Sequence, residues 1–468
     1  MHEIDNLKKF VFKIIPLSSV PSGMKIFSIV TGYLTKITKA STGTREHERA
    51  DKRKCRMCLG GHKVIEGVHL NRIDACAPVP TWTTIKMQLA LTSWHRLQLK
   101  AFDCVAAYLE SDLKDPLRDN VVYWKTKGKI NNDPLYVYPP KGLMQELGQD
   151  PNKIWKMNKA LYGWPRSSGR IWFDKVSTWL HDYGFRTLGN SGIFMMLDRR
   201  DLPGNTSGII LLHLYSDNGL GSNDNSALWD SVMVDFKVGF NVLEKDPHYF
   251  LCCAIEWDPI TSVIKLDPGK YLRTIEWDPI TSVIKLDPGK YLRYLRDFVA
   301  KYDMTDIHPT PIPLPAGRKI YMNEEWNGDE NMRNLYQQIA GSLNYAAQLR
   351  PQLMFSVSQL SRVMSCPTQE NLSLARQVIK YIIGSLHLKI TYRPDDPNDV
   401  LSETNNELMM FTDSDWATSV DTRCSHGCYV IMFAGAAVVH RSKSHKSVML
   451  SSTEIVNLKW LNLFGIDI

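Results

Sequence analysis

The sequence predicts an α+β fold of about three domains, and three observations lead to this prediction. The 468 residues are 44% hydrophobic and 22% charged, which is typical of globular proteins and not of disordered or fibrous ones. At roughly 150 residues per domain, this length allows about three domains that each bury a core. Helical and strand-like hydrophobic spacings both recur along the chain, so a mixed architecture is expected.

The first half of the chain contains the main elements of both types. Apolar residues at helical spacing predict helices, and continuous or alternating apolar runs predict strands. The expected helices are 81–94, 105–113 and the amphipathic segment 168–185, and the expected strands are 97–102, 192–197 and 208–215. A polar stretch over 115–134 indicates a surface excursion.

A proline-rich segment separates this half from the rest. Residues 306–317 (DIHPTPIPLPAG) contain four prolines and are the clearest linker in the chain. Three helices are predicted after it, at about 331–347, 351–364 and 368–385. From Glu407 the pattern changes to strands, at 408–412, 428–433 and 436–440.

A perfect tandem repeat lies before the linker. IEWDPITSVIKLDPGKYLR occurs at Ile255–Arg273 and again, letter for letter, at Ile275–Arg293. A solenoid needs about three or more copies, so one identical pair does not indicate a repeat architecture. Each copy predicts a pair of strands followed by a helix start at Asp-Pro. A fold that needs only one such unit must loop out the other or strain around it.

Charge and cysteine content limit the cellular context. The nine cysteines are scattered and odd in number, and the N-terminus lacks the apolar core of a signal peptide. The longest apolar run, Cys428–Val439, is too short for a membrane helix and predicts two strands around a turn. We therefore expect an intracellular protein, cytoplasmic or nuclear, with no transmembrane segment and no membrane partner. Its oligomeric state is left open.

The N-terminal region is distinctly basic. The first 63 residues contain thirteen Lys/Arg and five Asp/Glu, against a net charge of +7 for the whole chain. Ser41–Arg56 within it has the composition of a basic hairpin or loop. Such an arm is a reasonable contact for phosphates, and a solvated loop is the alternative.

A zinc site near the basic arm is considered and disfavoured. Cys55 and Cys58 are followed by His62, His69 and Cys76. These spacings fit none of the common structural zinc patterns well, so buried or chance thiols are the favoured interpretation.

Two acidic residues stand at the ends of apolar strands. Asp103 follows the run LQLKAF, and Asp217 lies in LHLYSDNGL, at the expected tip of a hairpin. Two strands that bring carboxylates to one edge of a sheet can hold divalent cations for phosphoryl transfer. The alternative is that each is a turn former, which is the usual role of an isolated Asp after a strand.

Five longer segments resemble one family in the same order. They are KMNKALYGWPRSSGRIWFDKVSTWLHDYGF, LLHLYSDNGLGSN, FSVSQLSRVMSCPT, FTDSDWATSVDTRCSHGCYV and SKSHKSVMLSSTE. Together they resemble the reverse transcriptase, connection and ribonuclease H regions of copia-type long-terminal-repeat retrotransposon Pol polyproteins. Residues 77–113 resemble the segment with the first polymerase carboxylate.

The resemblance implies a right-hand polymerase followed by two further parts. Fingers, palm and thumb would occupy residues 1–305, including the duplication at 255–293. A proline-rich linker and helical connection would occupy 306–400, and a truncated α/β ribonuclease H-like domain 401–468.

The same resemblance assigns roles to individual residues. Asp103 and Asp217 match the metal-binding carboxylates of the palm, and Tyr108 matches the aromatic residue under the incoming sugar. Lys54 and Arg56 match a basic motif expected to approach the triphosphate. These roles imply two Mg²⁺ ions, an RNA template with a DNA primer or RNA–DNA hybrid, and deoxynucleotides as substrates.

Several departures from the family pattern imply weakened chemistry. Asn218 stands where the family has the second Asp of its Tyr-x-Asp-Asp tip, so one full negative charge is missing. Loss of one electrostatic group in such a site commonly costs orders of magnitude in rate. Pro165 and Arg166 also replace pocket residues, and Phe250–Cys253 departs from the family's Phe-Leu-Gly.

The ribonuclease H part departs further from its pattern. Asp413 and Glu454 match two of the four acidic residues that bind Mg²⁺ there, and the later acidic and His elements are absent from this sequence. No ribonuclease H activity is therefore expected. For the whole chain, the resemblance implies a copia-type RNA-directed DNA polymerase with ribonuclease H, impaired or inactive; the alternative is a non-catalytic retroelement remnant that at most binds nucleic acid.

Overall fold

The computed structural model describes nineteen stretches of the chain. They are residues 11–22, 26–38, 49–59, 77–110, 136–140, 150, 152–159, 167–189, 192–198, 208–251, 253–267, 275–277, 284–286, 308–315, 317–322, 328–385, 387–393, 407–415 and 424–444.

The strands and helices before residue 250 follow one another in this order: β1 (Phe12–Pro16), β2 (Ile26–Thr38), β3 (Arg49–Leu59), α1 (Trp82–Trp94), β4 (Gln98–Cys104), β5 (Tyr136–Tyr138), β6 (Lys153–Met157), α2 (Ser167–Tyr183), β7 (Arg186–Thr187), β8 (Ile193–Asp198), β9 (Gly208–Tyr215), β10 (Asn218–Asn223), α3 (Ser226–Gly239), β11 (Val242–Lys245) and β12 (Tyr249–Phe250). Short 3-10 helices lie at Leu17–Ser19 and Ala107–Glu110.

The remaining elements are β13 (Cys253–Trp257), β14 (Ile264–Asp267), β15 (Ile275–Trp277), β16 (Ile284–Leu286), α4 (Glu330–Ala347), α5 (Met354–Arg362), α6 (Gln369–Gly384), β17 (Ile390–Tyr392), β18 (Met409–Ser414), β19 (His426–Phe433) and β20 (Ala436–Ser444), with a 3-10 helix at Pro351–Leu353. The mixture of helices and strands confirms the α+β class.

The chain divides into two compact units. Unit 1 consists of Met1–Pro80, Phe102–Gly219 and Ala227–Lys245, and unit 2 of Thr81–Ala101, Leu220–Ser226 and Asp246–Ile468. The domain boundaries at residues 305 and 400 stay a prediction.

The first sheet of unit 1 has the strand order β1-β6-β5-β2-β3. Strands β2 and β5 run parallel, and the other neighbours are antiparallel. The rings of Phe12 and Trp155 stack with centroids 3.9 Å apart. Of the basic hairpin or loop expected over 41–56, residues 49–56 belong to strand β3, which pairs antiparallel with β2 and so agrees with a hairpin; residues 41–48 lie outside the described residues.

The second sheet of unit 1 has the order β11-β4-β10-β9-β8-β7, with Phe102–Cys104 of β4 and 218–219 of β10 counted in this unit. Helix α2 buries Trp172, Val176 and Leu180, which are spaced four residues apart and so share one face. Helix α3 adds Trp229 and Phe236 to the same apolar core. The predicted amphipathic helix over 168–185 is thus confirmed, and Gly184, with φ of +118°, follows its end.

The helix expected over 105–113 is wrong for its described part. Val105 and Ala106 form a turn, and only Ala107–Glu110 is helical, as a 3-10 turn. Ala106 has φ of +57°, a left-handed conformation that an α-helix cannot include. Residues 111–113 lie outside the described residues.

The helices of unit 2 agree with the sequence. Helices α4, α5 and α6 bury a shared apolar core that includes Leu335, Ile339, Val357 and Val378. Asp329 accepts a hydrogen bond from the Asn331 backbone N–H at the start of α4, and Thr368 does the same for Asn371 at the start of α6. These caps satisfy backbone donors that a helix leaves free, which explains where the two helices begin.

The two repeat copies have the same internal pairing and different surroundings. In the first copy Ile255 pairs with Leu266, and in the second Ile275 pairs with Leu286. The first copy belongs to a four-stranded sheet of order β12-β13-β14-β17, whereas β15 and β16 form a sheet of two strands. The predicted strand pairs are confirmed in both copies. The expected helix starts at Pro268 and Pro288 lie outside the described residues.

Residues before each copy give a physical reason for this choice. Cys253, two residues before the first copy, is fully buried and pairs with Phe250 of β12. The equivalent residue before the second copy is Arg273. Placing a guanidinium at a fully buried position is costly, and this cost favours the copy that Cys253 precedes.

Strands β18, β19 and β20 form an antiparallel sheet in unit 2. Ala434 and Gly435 form the turn between β19 and β20, as the apolar run over 428–439 predicts. Within the part of the chain that the structure describes, no helix is long and apolar enough to cross a membrane.

Candidate active site

The β9–β10 hairpin places Asp217 in a tight turn. Tyr215 ends β9, Ser216 and Asp217 form the turn, and Asn218 begins β10. Ser216 has φ of +58°, a strained conformation for a residue other than glycine. Its carbonyl accepts a hydrogen bond from Trp172 Nε1 at 2.7 Å, and its hydroxyl lies 2.5 Å from the Tyr108 hydroxyl. These two contacts hold the turn against α2 and the 3-10 helix.

Asp103 lies beside this turn, on the next strand. It is the penultimate residue of β4, and the backbone N–H of its neighbour Cys104 donates to the Asp217 carbonyl at 2.7 Å. The structure therefore brings together the two carboxylates that the sequence predicts. The Asp103 side chain is about a quarter exposed, at 26%, which leaves it open to a ligand.

Gly219 allows β4 and β10 to approach each other at this point. A Cβ atom at residue 219 would lie 2.1 Å from the Phe102 ring. Phe102 itself is buried, and its ring packs edge-on against Phe236 at 5.5 Å. Gly219, which follows the Asp217 turn, and Phe102, which precedes Asp103, are thus in close contact. This packing supports the positions of the two carboxylates.

Asn218 presents a donor to the site. Its Nδ2 donates a hydrogen bond to Asp217 Oδ1 at 2.7 Å, at the position where the family resemblance expects a second carboxylate. Burial raises the pKa of the Asp217 carboxyl, and the nearby Asp103 charge also raises it. The Asn218 hydrogen bond and the Lys245 charge act in the opposite direction.

Lys245 is a site residue that sequence reasoning missed. It ends β11, the neighbour of β4 in the sheet, and its Nζ lies 2.9 Å from Asp103 Oδ2. No local pattern around Leu243–Asp246 marks this lysine, because its position depends on the order of the strands. The Asp103–Lys245 contact could have been found only by predicting that β11 lies next to β4.

Cys104 is a second residue beside the carboxylates that sequence reasoning missed, and its thiol is unreactive. Burial raises the pKa of its thiol to about 12, and the Asp103 and Asp217 charges add to the shift. The thiol therefore stays protonated and unreactive at neutral pH.

The other predicted site residues lie elsewhere. Lys54 and Arg56 are on β3, where they pair with Leu34 and Gly32 of β2. Asp413 is on β18 opposite Cys428, and its predicted partner Glu454 lies outside the described residues. Within the described ranges, no three His, Cys, Asp or Glu side chains are grouped so that they could hold a metal ion.

The residues of the disfavoured zinc site are only partly described. Cys55 and Cys58 lie on β3, and Cys58 is a free, half-buried thiol. His62, His69 and Cys76 lie outside the described residues.

A family model described as "Reverse transcriptase (RNA-dependent DNA polymerase)" matches residues 36–278. This span is slightly more than half of the chain, and it includes Asp103, Asp217 and Lys245. The chain belongs to the reverse transcriptase family.

Its relatives include Pol polyproteins of copia-type transposons. It is 23% identical over 403 residues to the "Retrovirus-related Pol polyprotein from transposon RE2" of Arabidopsis thaliana, covering 86% of the chain and 23% of that relative. It is 22% identical over 408 residues to the corresponding polyprotein of transposon TNT 1-94 of Nicotiana tabacum, covering 86% of the chain and 26% of that relative. The chain thus spans about a quarter of the length of these relatives.

Among solved structures, a foamy viral protease–reverse transcriptase in complex with double-stranded DNA matches with a TM-score of 0.41 and 11% identity. That match covers 98% of this chain and 59% of the viral chain.

Proposed function

We propose that this chain is an RNA-directed DNA polymerase in which Asp103 and Asp217 form a weakened catalytic cation site. The observation that carries the proposal is the hydrogen bond from the Cys104 N–H to the Asp217 carbonyl, which brings two acidic strand ends side by side. The family membership supports the reaction class. In this proposal, residues 1–305 form fingers, palm and thumb, residues 306–400 the connection, and residues 401–468 a ribonuclease H-like part.

The two carboxylates fit one Mg²⁺ better than two. Mg²⁺ is usually held by one or two carboxylates together with substrate phosphates, and carboxylate oxygens are ligands that it prefers. Asp103 and Asp217 supply such oxygens. Asn218, in contrast, presents an N–H to Asp217 and adds no negative charge. When bound, the cation supplies charge neutralisation at the phosphates of the deoxynucleotide.

The remaining residues have supporting roles in this proposal. The Tyr108 hydroxyl and the Trp172 indole hold the Asp217 turn, so that both carboxylates are oriented before substrate binds. Tyr108 is also proposed to lie under the sugar of the incoming deoxynucleotide. Lys54 and Arg56 are proposed to approach its triphosphate, and an RNA template with a DNA primer completes the substrate set.

Primer extension tests this proposal. The full chain is incubated with an RNA template, a labelled DNA primer, deoxynucleotides and Mg²⁺. We expect slow extension that Asp103→Asn abolishes. The matched control is Asp182→Asn, which changes an exposed carboxylate on α2 and should leave the rate unchanged. Extension that survives Asp103→Asn would contradict the proposal.

A second candidate function is nucleic-acid binding without catalysis. It is favoured by the observation that each carboxylate already has a donor from the chain, Asn218 for Asp217 and Lys245 for Asp103. Binding through phosphates should weaken steeply between low and physiological salt. Two results together would favour this second function. The chain would bind an RNA–DNA hybrid with this salt dependence, and even the Asn218→Asp variant would show no primer extension.

In the same proposal, Asp413 and Glu454 supply two of the four acidic residues that the family's ribonuclease H site uses.

A further inference from the structure

The positively charged Lys245 side chain contacts the Asp103 carboxylate, as a bound cation would. Its ammonium group lies 2.9 Å from Asp103 Oδ2, and both side chains are accessible, at 44% for Lys245 and 26% for Asp103. The contact can therefore be broken and remade in solvent without unfolding any element. Lys245 also lies at the end of its strand, next to the solvent-exposed Asp246.

The charge balance of the site gives this contact a consequence. Asp103 and Asp217 bring two negative charges, and Lys245 neutralises one of them. Burial is the main cause of the raised pKa of Asp217; the Asp103 charge adds to this rise and the Lys245 charge acts against it, so both charges lie close enough to affect Asp217. A divalent cation is attracted more weakly to a site of net charge −1 than to one of −2. It must also displace the lysine from its carboxylate oxygen.

We propose that Lys245 is a resident counter-ion that competes with the divalent cation for Asp103 and so sets a weak cation affinity. The inference rests on the proposed function, since it assumes that Asp103 and Asp217 hold the cation. On binding, the Lys245 ammonium group leaves Asp103 Oδ2, and the vacated oxygen becomes available to the cation. No proton is transferred, and no covalent bond forms or breaks, in this exchange.

A neighbouring ion pair provides the matched control. Lys237 on α3 pairs with Glu244 of β11 at 2.5 Å, with similar exposure of both partners. Both lysines belong to unit 1 and each contacts a carboxylate, but only Lys245 contacts a proposed cation ligand. A general effect of removing a positive charge should appear equally when either lysine is replaced. Competition for Asp103 should appear only when Lys245 is replaced.

The test is Mn²⁺ binding to the full chain, without nucleic acid, measured by isothermal titration calorimetry and by the electron paramagnetic resonance signal of free Mn²⁺. We expect Lys245→Met to bind Mn²⁺ about tenfold more tightly than the unaltered chain, and Lys237→Met to change affinity less than about twofold. Lys245→Arg, which keeps the charge, should restore weak binding. Asp103→Asn should remove the gain in the Lys245→Met background.

The outcomes separate this inference from the proposed function. Equal, Asp103-dependent Mn²⁺ affinity in the unaltered chain and in Lys245→Met would overturn the role of Lys245 and leave the cation site intact. Absence of Asp103-dependent binding in every variant would overturn both. Lys245→Gln serves as a second variant if circular dichroism shows that Lys245→Met is misfolded, and the same tenfold gain is expected of it.

Discussion

Two lysines of this chain lie against protein groups, and their surroundings differ in the charge of the partner. In unit 1, Lys245 contacts the Asp103 carboxylate and stays 44% exposed. In unit 2, Lys86 of α1 is only 2% exposed, and its Nζ lies 3.2 Å from both the Gln348 carbonyl and His440 Nδ1. Neither of these partners carries a negative charge at neutral pH.

The neutral partners of Lys86 leave its charge without compensation. Burial lowers the pKa of Lys86 to about 7, because an ammonium group loses its hydration there without gaining a counter-ion. Burial lowers the pKa of His440 to about 4, and the Lys86 charge contributes, so that this ring is neutral at pH 7. A buried lysine without a carboxylate partner thus gives up its proton far more readily than an exposed one, and its contacts serve the fold. A half-exposed lysine on a carboxylate keeps a contact that a ligand can replace.

The largest expected effect comes from a buried cation that cannot lose its proton. Cys253 is fully buried, and Cys253→Arg introduces there the residue that precedes the second repeat copy. Arginine stays protonated in proteins, so the loss of stability should be about 3–5 kcal/mol. Urea unfolding measures it, with Cys253→Ala as the control that only removes volume. A loss no larger than that of the Ala variant would show that this position tolerates charge.

The second prediction concerns the pH dependence that Lys86 creates. The unfolded chain keeps this lysine protonated up to its ordinary pKa of 10.5, whereas the folded chain releases the proton above about 7. The unaltered chain should therefore gain stability relative to Lys86→Met as pH rises from 7 toward 10.5, by at most ~1.4 kcal/mol per pH unit. Urea unfolding of both proteins at pH 7 and pH 9 should show a relative gain of about 2–3 kcal/mol. Parallel pH profiles would contradict the buried, uncompensated state of Lys86.

The third prediction concerns the close contact between β4 and β10 beside Asp103 and Asp217. Gly219→Ala forces a methyl group into the Phe102 ring, which the core around Phe236 leaves little room to move. Overpacking of this kind costs about 1–3 kcal/mol. Thermal unfolding checks the loss, and Phe102→Leu in the Gly219→Ala background should recover part of it by removing the clashing atoms. A stable Gly219→Ala protein would mean that β4 and β10 are less closely fitted.

The smallest expected effect on stability is that of Lys245 itself. Exposed ion pairs contribute about 0–1 kcal/mol, so Lys245→Met should change the free energy of unfolding by no more than that. Urea unfolding in the absence of divalent cations measures it beside Lys237→Met. A loss of several kcal/mol would show that the Asp103 contact is structural and would remove the contrast with Lys86.

Much of the fold and the carboxylate pair could be predicted from local patterns. Helix α2 can be predicted from its apolar residues on one face. The position of Asp217 in a turn can be predicted from the two apolar runs on either side of it. Lys86 could not be found in this way, because α1 also buries polar residues such as Gln88 and Thr92, so its sequence shows no polar face. Its burial depends on His440, which is distant in the chain.

The repeat shows the limit of local patterns most directly. The two copies have identical residues and identical internal pairing, so no property of either copy indicates which one enters the four-stranded sheet. The difference lies in what precedes each copy: Cys253 stands two residues before the first, and Arg273, the last residue of the first copy, stands two residues before the second. Lys245 illustrates the same limit, since its contact with Asp103 depends on the order of strands in a sheet.

The central claim is that Asp103 and Asp217 form a polymerase cation site that Asn218 weakens. Asn218→Asp adds the charge that the family expects and replaces the amide donor on Asp217 with a carboxylate. In Mg²⁺-dependent primer extension on an RNA template, we expect this variant to be at least about tenfold faster than the unaltered chain, because one electrostatic group in such a site affects the rate by an order of magnitude or more. A folded Asn218→Asp protein with no gain in extension would contradict it.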